Sequence, residues 1–195
     1  MAKNRRYTVK LKRRLKFKTN YKRRLKLVMS RAIRLVIRPH LNNIVLQFVE
    51  FHENGDKVLV SVNSSLLNKI GWKGNRGNIP SAYLTGLYAG LIAKKKDIKQ
   101  AVLDMGNFQS VKGSRIYAAL KGVLDSGVTV PHSKEILPHE NAISGKIIVE
   151  YAKKLENDHA LYNKQFGRYL KNSLRPEDLS SHFDQIKNKI ISEVK

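Results

Sequence analysis

The sequence contains no cysteine, and its first acidic side chain is Glu50. The absence of cysteine excludes disulfide bonds, thiolate metal ligands and a cysteine nucleophile, and it fits a reducing compartment. No apolar stretch approaches the roughly 20 residues that span a bilayer, and no apolar segment follows the basic N-terminus as in a signal peptide. We therefore expect a cytoplasmic protein with no membrane partner.

The lack of early acidic residues makes the charge distribution strongly asymmetric. The chain carries 38 Lys and Arg against 15 Asp and Glu, a formal net charge of +23. Sixteen of the basic residues lie in residues 1–38, where no acidic side chain balances them. Aromatic side chains, among them Tyr7, Phe17 and Tyr21, are interspersed with these cations. This mixture favours nucleic acid over an anionic membrane surface or an acidic protein as the partner.

The first of three predicted parts is a basic arm, residues 1–33. Residues 1–18 have no regular period, so we expect an extended segment that orders only on binding. A short helix is predicted at about 20–32, capped by Thr19 or Asn20. Its expected apolar stripe consists of Tyr21, Leu25, Val28, Met29 and Ala32. The cations in its first turn are unfavourable at a helix N-terminus, and a nearby phosphate would relieve that conflict.

The second predicted part, residues 34–133, alternates strand and helix patterns. Strands are expected at 34–38, 43–52 and 56–63, the last two joined as a hairpin through Asn54-Gly55. Further strands are expected at 101–105 and 128–130. This alternation predicts an α/β fold with a mixed β-sheet and flanking helices. The third part, residues 134–195, shows only helical patterns, with apolar stripes predicted within 147–155, 161–170 and 179–190, and is predicted to be a helical C-terminal extension.

Two helices are predicted between these strands. The first begins after Asn78, has Pro80 in its first turn and carries a buried stripe of Tyr83, Leu84, Leu87, Tyr88, Leu91 and Ile92. Its small residues Gly86 and Gly90 are expected to let it approach the sheet closely. The second helix begins after Ser114 and ends at Gly127.

The candidate functional residues are those suited to binding RNA. Lys and Arg neutralise phosphates, and aromatic rings and Arg stack on bases. No zinc finger or recognition-helix pattern points to duplex DNA. Gly74-Asn-Arg-Gly77 matches the GXXG loop with which KH domains clamp a nucleotide backbone, and the alternative is an ordinary turn before a helix. The predicted RNA-binding residues are Arg5, Arg6, Tyr7, Lys10, Lys12, Arg13, Arg14, Lys16, Phe17, Lys18, Tyr21, Lys22, Arg23, Arg24, Arg31, Arg34, Arg38, Lys73, Asn75, Arg76, Asn78, Lys112 and Arg115.

No catalytic constellation stands out in the sequence. Asp104 at a strand end is placed like a metal ligand of a nuclease, but no second carboxylate has matching spacing. A turn-stabilising role for Asp104 is therefore preferred. His132, His139 and Glu140 lack the spacing of a zinc site. We predict a protein that is not an enzyme, with no metal, cofactor or small-molecule substrate. The alternative from another class is a metal-dependent nuclease that uses Asp104.

Four collinear blocks resemble the archaeal-type family of ribosomal protein L-eighteen, whose eukaryotic member is ribosomal protein L-five. They are residues 19–38, 77–87 (Gly-Asn-Ile-Pro-Ser-Ala-Tyr-Leu-Thr-Gly-Leu), 101–106 (Ala-Val-Leu-Asp-Met-Gly) and 119–133. In the first block, Tyr21-Lys-Arg-Arg24 is similar to the family's basic Tyr-Arg-Arg-Arg run at the RNA surface. Asn20 stands there in place of Asp, and Lys22 in place of Arg.

This resemblance implies a ribonuclease-H-like core without nuclease activity. It further implies a structural protein of the large ribosomal subunit that binds 5S rRNA and attaches it to large-subunit rRNA in the central protuberance. The partners implied are 5S rRNA, large-subunit rRNA and neighbouring large-subunit ribosomal proteins.

Overall fold

The computed structural model describes residues 8–193 and is built on a four-stranded mixed sheet. Strands β1 (Arg34–Pro39), β2 (Ile44–Glu50) and β3 (Lys57–Asn63) are antiparallel neighbours, and β4 (Val102–Asp104) pairs in parallel with β1. The strand order is β3-β2-β1-β4. The predicted mixed α/β fold is confirmed.

Two details of the predicted strands differ in the structure. The β2–β3 hairpin forms, but its connection runs over residues 51–56, with Gly55 at φ +136° and its amide donating to His52 O at 3.0 Å. Asn54-Gly55 is thus part of a longer turn. The strand predicted at 128–130 is reduced to one parallel bridge between Gln100 and Thr129. Gly127, at φ +100°, and Pro131, which has no amide hydrogen to donate to a neighbouring strand, limit that segment to the three residues between them.

Nine α-helices accompany the sheet within residues 8–193. Three single-turn 3-10 segments, at Ser64–Leu66, Lys134–Ile136 and Pro176–Asp178, connect some of them. None of the helices in this part of the chain is long and apolar enough to cross a membrane. The helices are α1 (Lys12–Leu15), α2 (Tyr21–Met29), α3 (Leu67–Ile70), α4 (Ile79–Lys95), α5 (Arg115–Asp125), α6 (Glu140–Ile143), α7 (Lys146–Lys154), α8 (His159–Lys171) and α9 (Leu179–Glu193).

Helix α4 is the central element of the fold. Asn78 caps it through a hydrogen bond from the Ser81 amide to Oδ1 at 3.0 Å, as predicted. The predicted broad stripe is buried or half-buried, and burial extends beyond it over nearly all sides of α4. One side packs Ala89 and Ala93 into the core beneath the sheet, and another packs Leu84 into a second core with the C-terminal helices. Helix α4 therefore joins the helical extension to the α/β core.

The small residues of α4 face α5 rather than the sheet, which corrects the sequence-based expectation. A Cβ atom on Gly86 would overlap the carbonyl oxygen of Ala119, and one on Gly90 would overlap Ser126 Oγ. Gly122 of α5 makes the reciprocal approach, since its Cβ would overlap Tyr83 O. Glycine at these positions lets the two helix backbones touch.

The C-terminal helices bury less than their sequence stripes suggest. The stripe of α9 is confirmed, because Leu179, Phe183, Ile186 and Ile190 are all buried. Helix α7 buries only Ala152, whereas Ile147 and Tyr151 are 54% and 47% exposed. Helix α8 buries Phe166 and Tyr169 but leaves Leu161 and Leu170 at the surface.

Replacing Gly86 by Ala should destabilise the protein by about 1–3 kcal/mol, because the new methyl group overpacks the α4–α5 contact. Gly167→Ala in α8 is the matched control, since its Cβ would meet nothing within 4 Å. The control should gain up to about 1 kcal/mol from helix propensity. Urea unfolding of both variants measures the difference, and equal stabilities would contradict the close packing inferred for Gly86.

Candidate nucleic-acid interface

Arg34, the first residue of β1, lies at the centre of an ion-pair network. Its side chain is 3% exposed, with Nη2 at 2.8 Å from Asp56 Oδ1 and Nη1 at 3.6 Å from Asp104 Oδ2. Asp56 precedes β3 and Asp104 ends β4, so one guanidinium joins carboxylates from both sides of β1. Within residues 8–193, Nε of Arg34 makes no hydrogen bond. A buried cation in this setting requires its carboxylate partners.

Two more arginines complete the network. Arg24 of α2 places Nη2 at 2.9 Å from Asp56 Oδ2, and Arg38 places Nη2 at 3.1 Å from Asp104 Oδ1. Partial burial alone would raise the pKa of Asp56, but the hydrogen bonds and charges of Arg34 and Arg24 lower it below its usual value. Asp56 is therefore ionised at neutral pH and fixes α2 against the sheet.

The network corrects one predicted RNA-binding residue and explains Asp104. Arg34 is buried and bound to two carboxylates, so its side chain does not reach a polyanion at the surface. Asp104 Oδ1 accepts the Gly106 amide at 2.8 Å, which confirms its predicted turn-stabilising role. Among residues 8–193, no three His, Asp or Glu side chains cluster as a metal site requires.

Helix α2 is oriented by Arg24 rather than by the predicted apolar stripe. Asn20 caps it, accepting the Arg23 amide at 3.2 Å, in line with the prediction. Of the predicted apolar stripe, Leu25 and Met29 are 60% and 72% exposed. The half-buried positions are Tyr21, Arg24, Leu27 and Val28. Because Arg24 must face Asp56, the helix turns Leu25 and Met29 outward.

The segment before α2 is not extended throughout, and it contacts the β4–α5 loop (residues 105–114). Residues 12–15 form the single turn α1, and Arg13 Nε donates to Thr19 Oγ1 at 2.8 Å. The side-chain Nδ2 of Asn107 donates to the backbone carbonyl oxygen of Phe17. Phe17 has φ +51° and a side chain left 87% exposed. The predicted residues Arg5, Arg6 and Tyr7 lie outside the described residues.

A basic groove runs between this segment, α2 and the β4–α5 loop. It has a volume of about 770 Å³, and a neighbouring pocket of about 660 Å³ extends it along the arm. We call both together the arm face. Asp104, already paired with Arg34 and Arg38, is the one carboxylate among the lining residues described. The predicted residues that line the arm face are Arg13, Arg14, Phe17, Lys18, Tyr21, Lys22, Arg23, Arg24 and Arg38.

Other arm-face residues were not predicted from the sequence. Asn107 and the 42% exposed ring of Phe108 line both cavities, and Lys26 and His40 line the larger one. Arg23 Nη1 donates to Gly106 O at 3.1 Å, which brings α2 and the β4–α5 loop together. The polar composition of residues 107–113 was the available signal, but only the fold places this loop beside the arm. The predicted residues Lys10, Lys12, Lys16 and Arg31 are exposed and do not line the groove.

The glycine-rich loop is shaped by packing rather than by a KH-type clamp. A Cβ on Gly74 would lie 2.7 Å from the Trp72 ring, and one on Gly77 would lie 3.0 Å from Leu41 O. Asn75 Oδ1 accepts the Gly77 amide at 2.8 Å. These contacts account for both glycines and fit the alternative of an ordinary turn before α4. Lys73 is exposed and Arg76 half-exposed, so both stay predicted RNA contacts.

The remaining predicted residues have contacts within the protein. Asn78 caps α4 and donates to the Tyr169 hydroxyl at 3.1 Å. Arg115 Nη1 donates to His40 O at 3.1 Å and to Gly77 O at 2.9 Å, which links the β1–β2 turn to the glycine-rich loop. Lys112 pairs with Glu135 at 3.4 Å across an exposed surface. RNA contact by these residues stays a prediction.

Comparison of the sequence with known proteins identifies the family of this chain. A model of the family described as ribosomal large subunit proteins 60S L5 and 50S L18 matches residues 5–100. The large ribosomal subunit protein uL18 of Methanococcus maripaludis is 45% identical over 192 residues, which cover 98% of this chain and 100% of that protein. The similarity thus continues beyond the matched segment into the C-terminal helices.

Asp56→Asn should lower the stability at pH 7 by about 1–2 kcal/mol, less than a fully buried pair would lose because the carboxylate is partly solvated. Because the pKa of Asp56 is lowered in the folded state, its ionised carboxylate stabilises the protein at pH values above the unfolded-state pKa of about 3.9. This stabilisation is lost as the pH falls through the folded-state pKa. The variant should therefore show a flatter loss of stability in acid. Urea unfolding between pH 2 and 7 tests this, with the exposed Asp184→Asn as control, and parallel curves for wild type and Asp56→Asn would contradict it.

Proposed function

Because the chain belongs to the family of large-subunit ribosomal proteins that includes 60S L5 and 50S L18, we propose that its arm face binds 5S rRNA and attaches it to large-subunit rRNA in the central protuberance. The protein acts as a structural constituent of the ribosome in the cytoplasm and not as an enzyme. The observation that supports this most directly is the arm face, where cations and exposed aromatic rings line one groove.

The charge of the arm face suits a phosphate backbone. Arg13, Lys18 and Arg23 line the groove and have no carboxylate partner within residues 8–193. Each cation that neutralises a phosphate releases counterions from the RNA, which supplies affinity that salt weakens. The cations of the first turn of α2, unfavourable in the free protein, are stabilised once a phosphate lies beside them.

The aromatic rings favour folded RNA with unstacked bases over a regular duplex. Phe17 and Phe108 present exposed rings beside the same cavities as the cations. Base stacking on such rings contributes about 1–3 kcal/mol per base and requires bases that are out of a helix. Fixed cations and stacking rings together recognise the shape of an RNA loop or bulge rather than a base sequence.

Neighbouring ribosomal proteins are the partners proposed for the C-terminal helices α7 and α8. Ile147 and Tyr151 of α7 and Leu161 of α8 are each about half exposed, an apolar surface that suits protein contact.

Asp104, the candidate nuclease ligand, has its carboxylate bound by two arginines and the Gly106 amide. That arrangement favours a structural role for Asp104 over a catalytic one.

The triple variant Arg13→Gln, Lys18→Gln and Arg23→Gln should weaken 5S rRNA binding by about 10- to 100-fold near 150 mM salt. It should also reduce the slope of log K against log salt by about 2–3, since each phosphate contact contributes about 0.7–0.9. Filter binding over a salt series measures both quantities.

The control variant Lys146→Gln, Lys153→Gln and Lys154→Gln removes the same charge from exposed positions at the two ends of α7. It should change affinity and slope much less. Equal effects of the two triple variants, or no effect of either, would reject the arm face as the RNA-binding surface.

A further inference from the structure

A second cationic pocket lies between the glycine-rich loop, the β1–β2 turn and α8. Its volume is about 320 Å³, and three basic side chains line it, Arg76 from the loop and Arg168 and Lys171 from α8. Asn42, Asn75 and Asn172 also line it. Sequence periodicity gave no reason to join Arg168 and Lys171 to a loop some 90 residues earlier. The pocket exists because the C-terminal helices pack against that loop.

The walls of this pocket are fixed by hydrogen bonds. Asn172 Nδ2 donates to Lys73 O at 2.8 Å, and Arg168 Nη1 donates to Asn42 Oδ1 at 3.1 Å. Beneath the loop, the buried Trp72 donates to Asn75 O at 3.2 Å and stacks on His182 with ring centroids 5.2 Å apart. The loop, the turn and α8 therefore present their polar groups in a defined arrangement without a ligand.

The charges of this pocket are uncompensated. Neither Arg76, Arg168 nor Lys171 has a carboxylate within salt-bridge distance in residues 8–193, and no acidic side chain lines the pocket. Three cations around one cavity repel one another, and an anion between them reverses that cost. The asparagine side chains add donors and acceptors for phosphate oxygens and ribose hydroxyls.

The pocket adjoins the arm face through the β1–β2 turn. His40 lines the groove of the arm face, and Asn42, two positions later, lines the second pocket. Arg115 fixes this junction by donating to His40 O and Gly77 O. The β1–β2 turn therefore connects the lining of the groove to the lining of the second pocket.

We propose that this pocket binds a backbone phosphate of the same rRNA that occupies the arm face, with Arg168 and Lys171 as its charged ligands. The inference rests on the proposed function and extends the RNA-binding surface to helix α8. Arginine is suited to this role because its planar guanidinium donates two parallel hydrogen bonds to phosphate.

The test is 5S rRNA binding by the double variant Arg168→Gln and Lys171→Gln, compared with Lys153→Gln and Lys154→Gln, which removes the same charge from α7. Both pairs are exposed, so thermal melting should show unchanged folding. The pocket variant should bind several-fold more weakly and reduce the salt slope by about 1, the loss expected for one phosphate contact. The α7 control should match wild type more closely in both quantities.

Ethylation interference on the RNA locates the contact. Ethylation of one or two phosphates should block wild-type binding and cease to matter for the pocket variant, while the remaining pattern is kept. Wild-type protein that fails to bind 5S rRNA would overturn the proposed function and this inference together. If the wild-type protein binds 5S rRNA and the pocket variant binds it as well as the α7 control does, this inference alone is overturned. The same holds if the pocket variant binds 5S rRNA normally but enters ribosomal subunits poorly, because the pocket would then bind an acidic protein partner.

Discussion

The position of the basic arm depends on the buried guanidinium of Arg34. It binds Asp56 on one side of β1 and Asp104 on the other, and these carboxylates bind Arg24 and Arg38 in turn. A buried ion pair adds little net stability, but removing one partner leaves a costly unpaired charge. Only a sheet in the correct register with α2 docked brings all five charged groups together. Three arginines against two aspartates also leave the network with an excess positive charge, so it contributes to the field of the arm face.

Much of the fold follows from local patterns. The strands β1 to β3, the Asn78 cap of α4 and the apolar face of α9 were predictable because each depends on residues close in sequence. The orientation of α2 was not, because it is decided by Asp56, which lies 32 residues beyond Arg24. The same limit applied to α4, whose two buried sides meet partners on different elements. Periodicity locates a helix well, but the side it buries depends on what the rest of the chain brings to it.

The predicted RNA-binding residues likewise divide into those that the sequence identifies and those that only the tertiary structure brings together. Composition identified the basic arm, but it treats all cations alike, and burial separates the structural Arg34 from the exposed Lys18 and Arg23. The GXXG pattern located a real loop, and packing accounts for its glycines, which make room for Trp72 and Leu41. Arg168 and Lys171 show no sequence signal, because their meeting with Arg76 depends on how the C-terminal helices pack. The sequence shows how many charges the chain carries, whereas the position of each charged side chain is set by the tertiary structure.

The fixed position of the cations in the tertiary structure also affects the affinity for RNA. Ordering a free chain costs about 1–2 kcal/mol per residue, so a long flexible arm would lose much of its electrostatic gain on binding. In this protein α2 is docked by Arg24, and the Asn107–Phe17 hydrogen bond holds the segment before it. A surface held in this way is preorganised, and preorganisation raises affinity by reducing the ordering cost. It also fixes the distances between cations, so that an RNA must match their spacing and not merely their charge. On the proposed function, the ion pairs of these arginines would add selection for one folded RNA to a general attraction for polyanions.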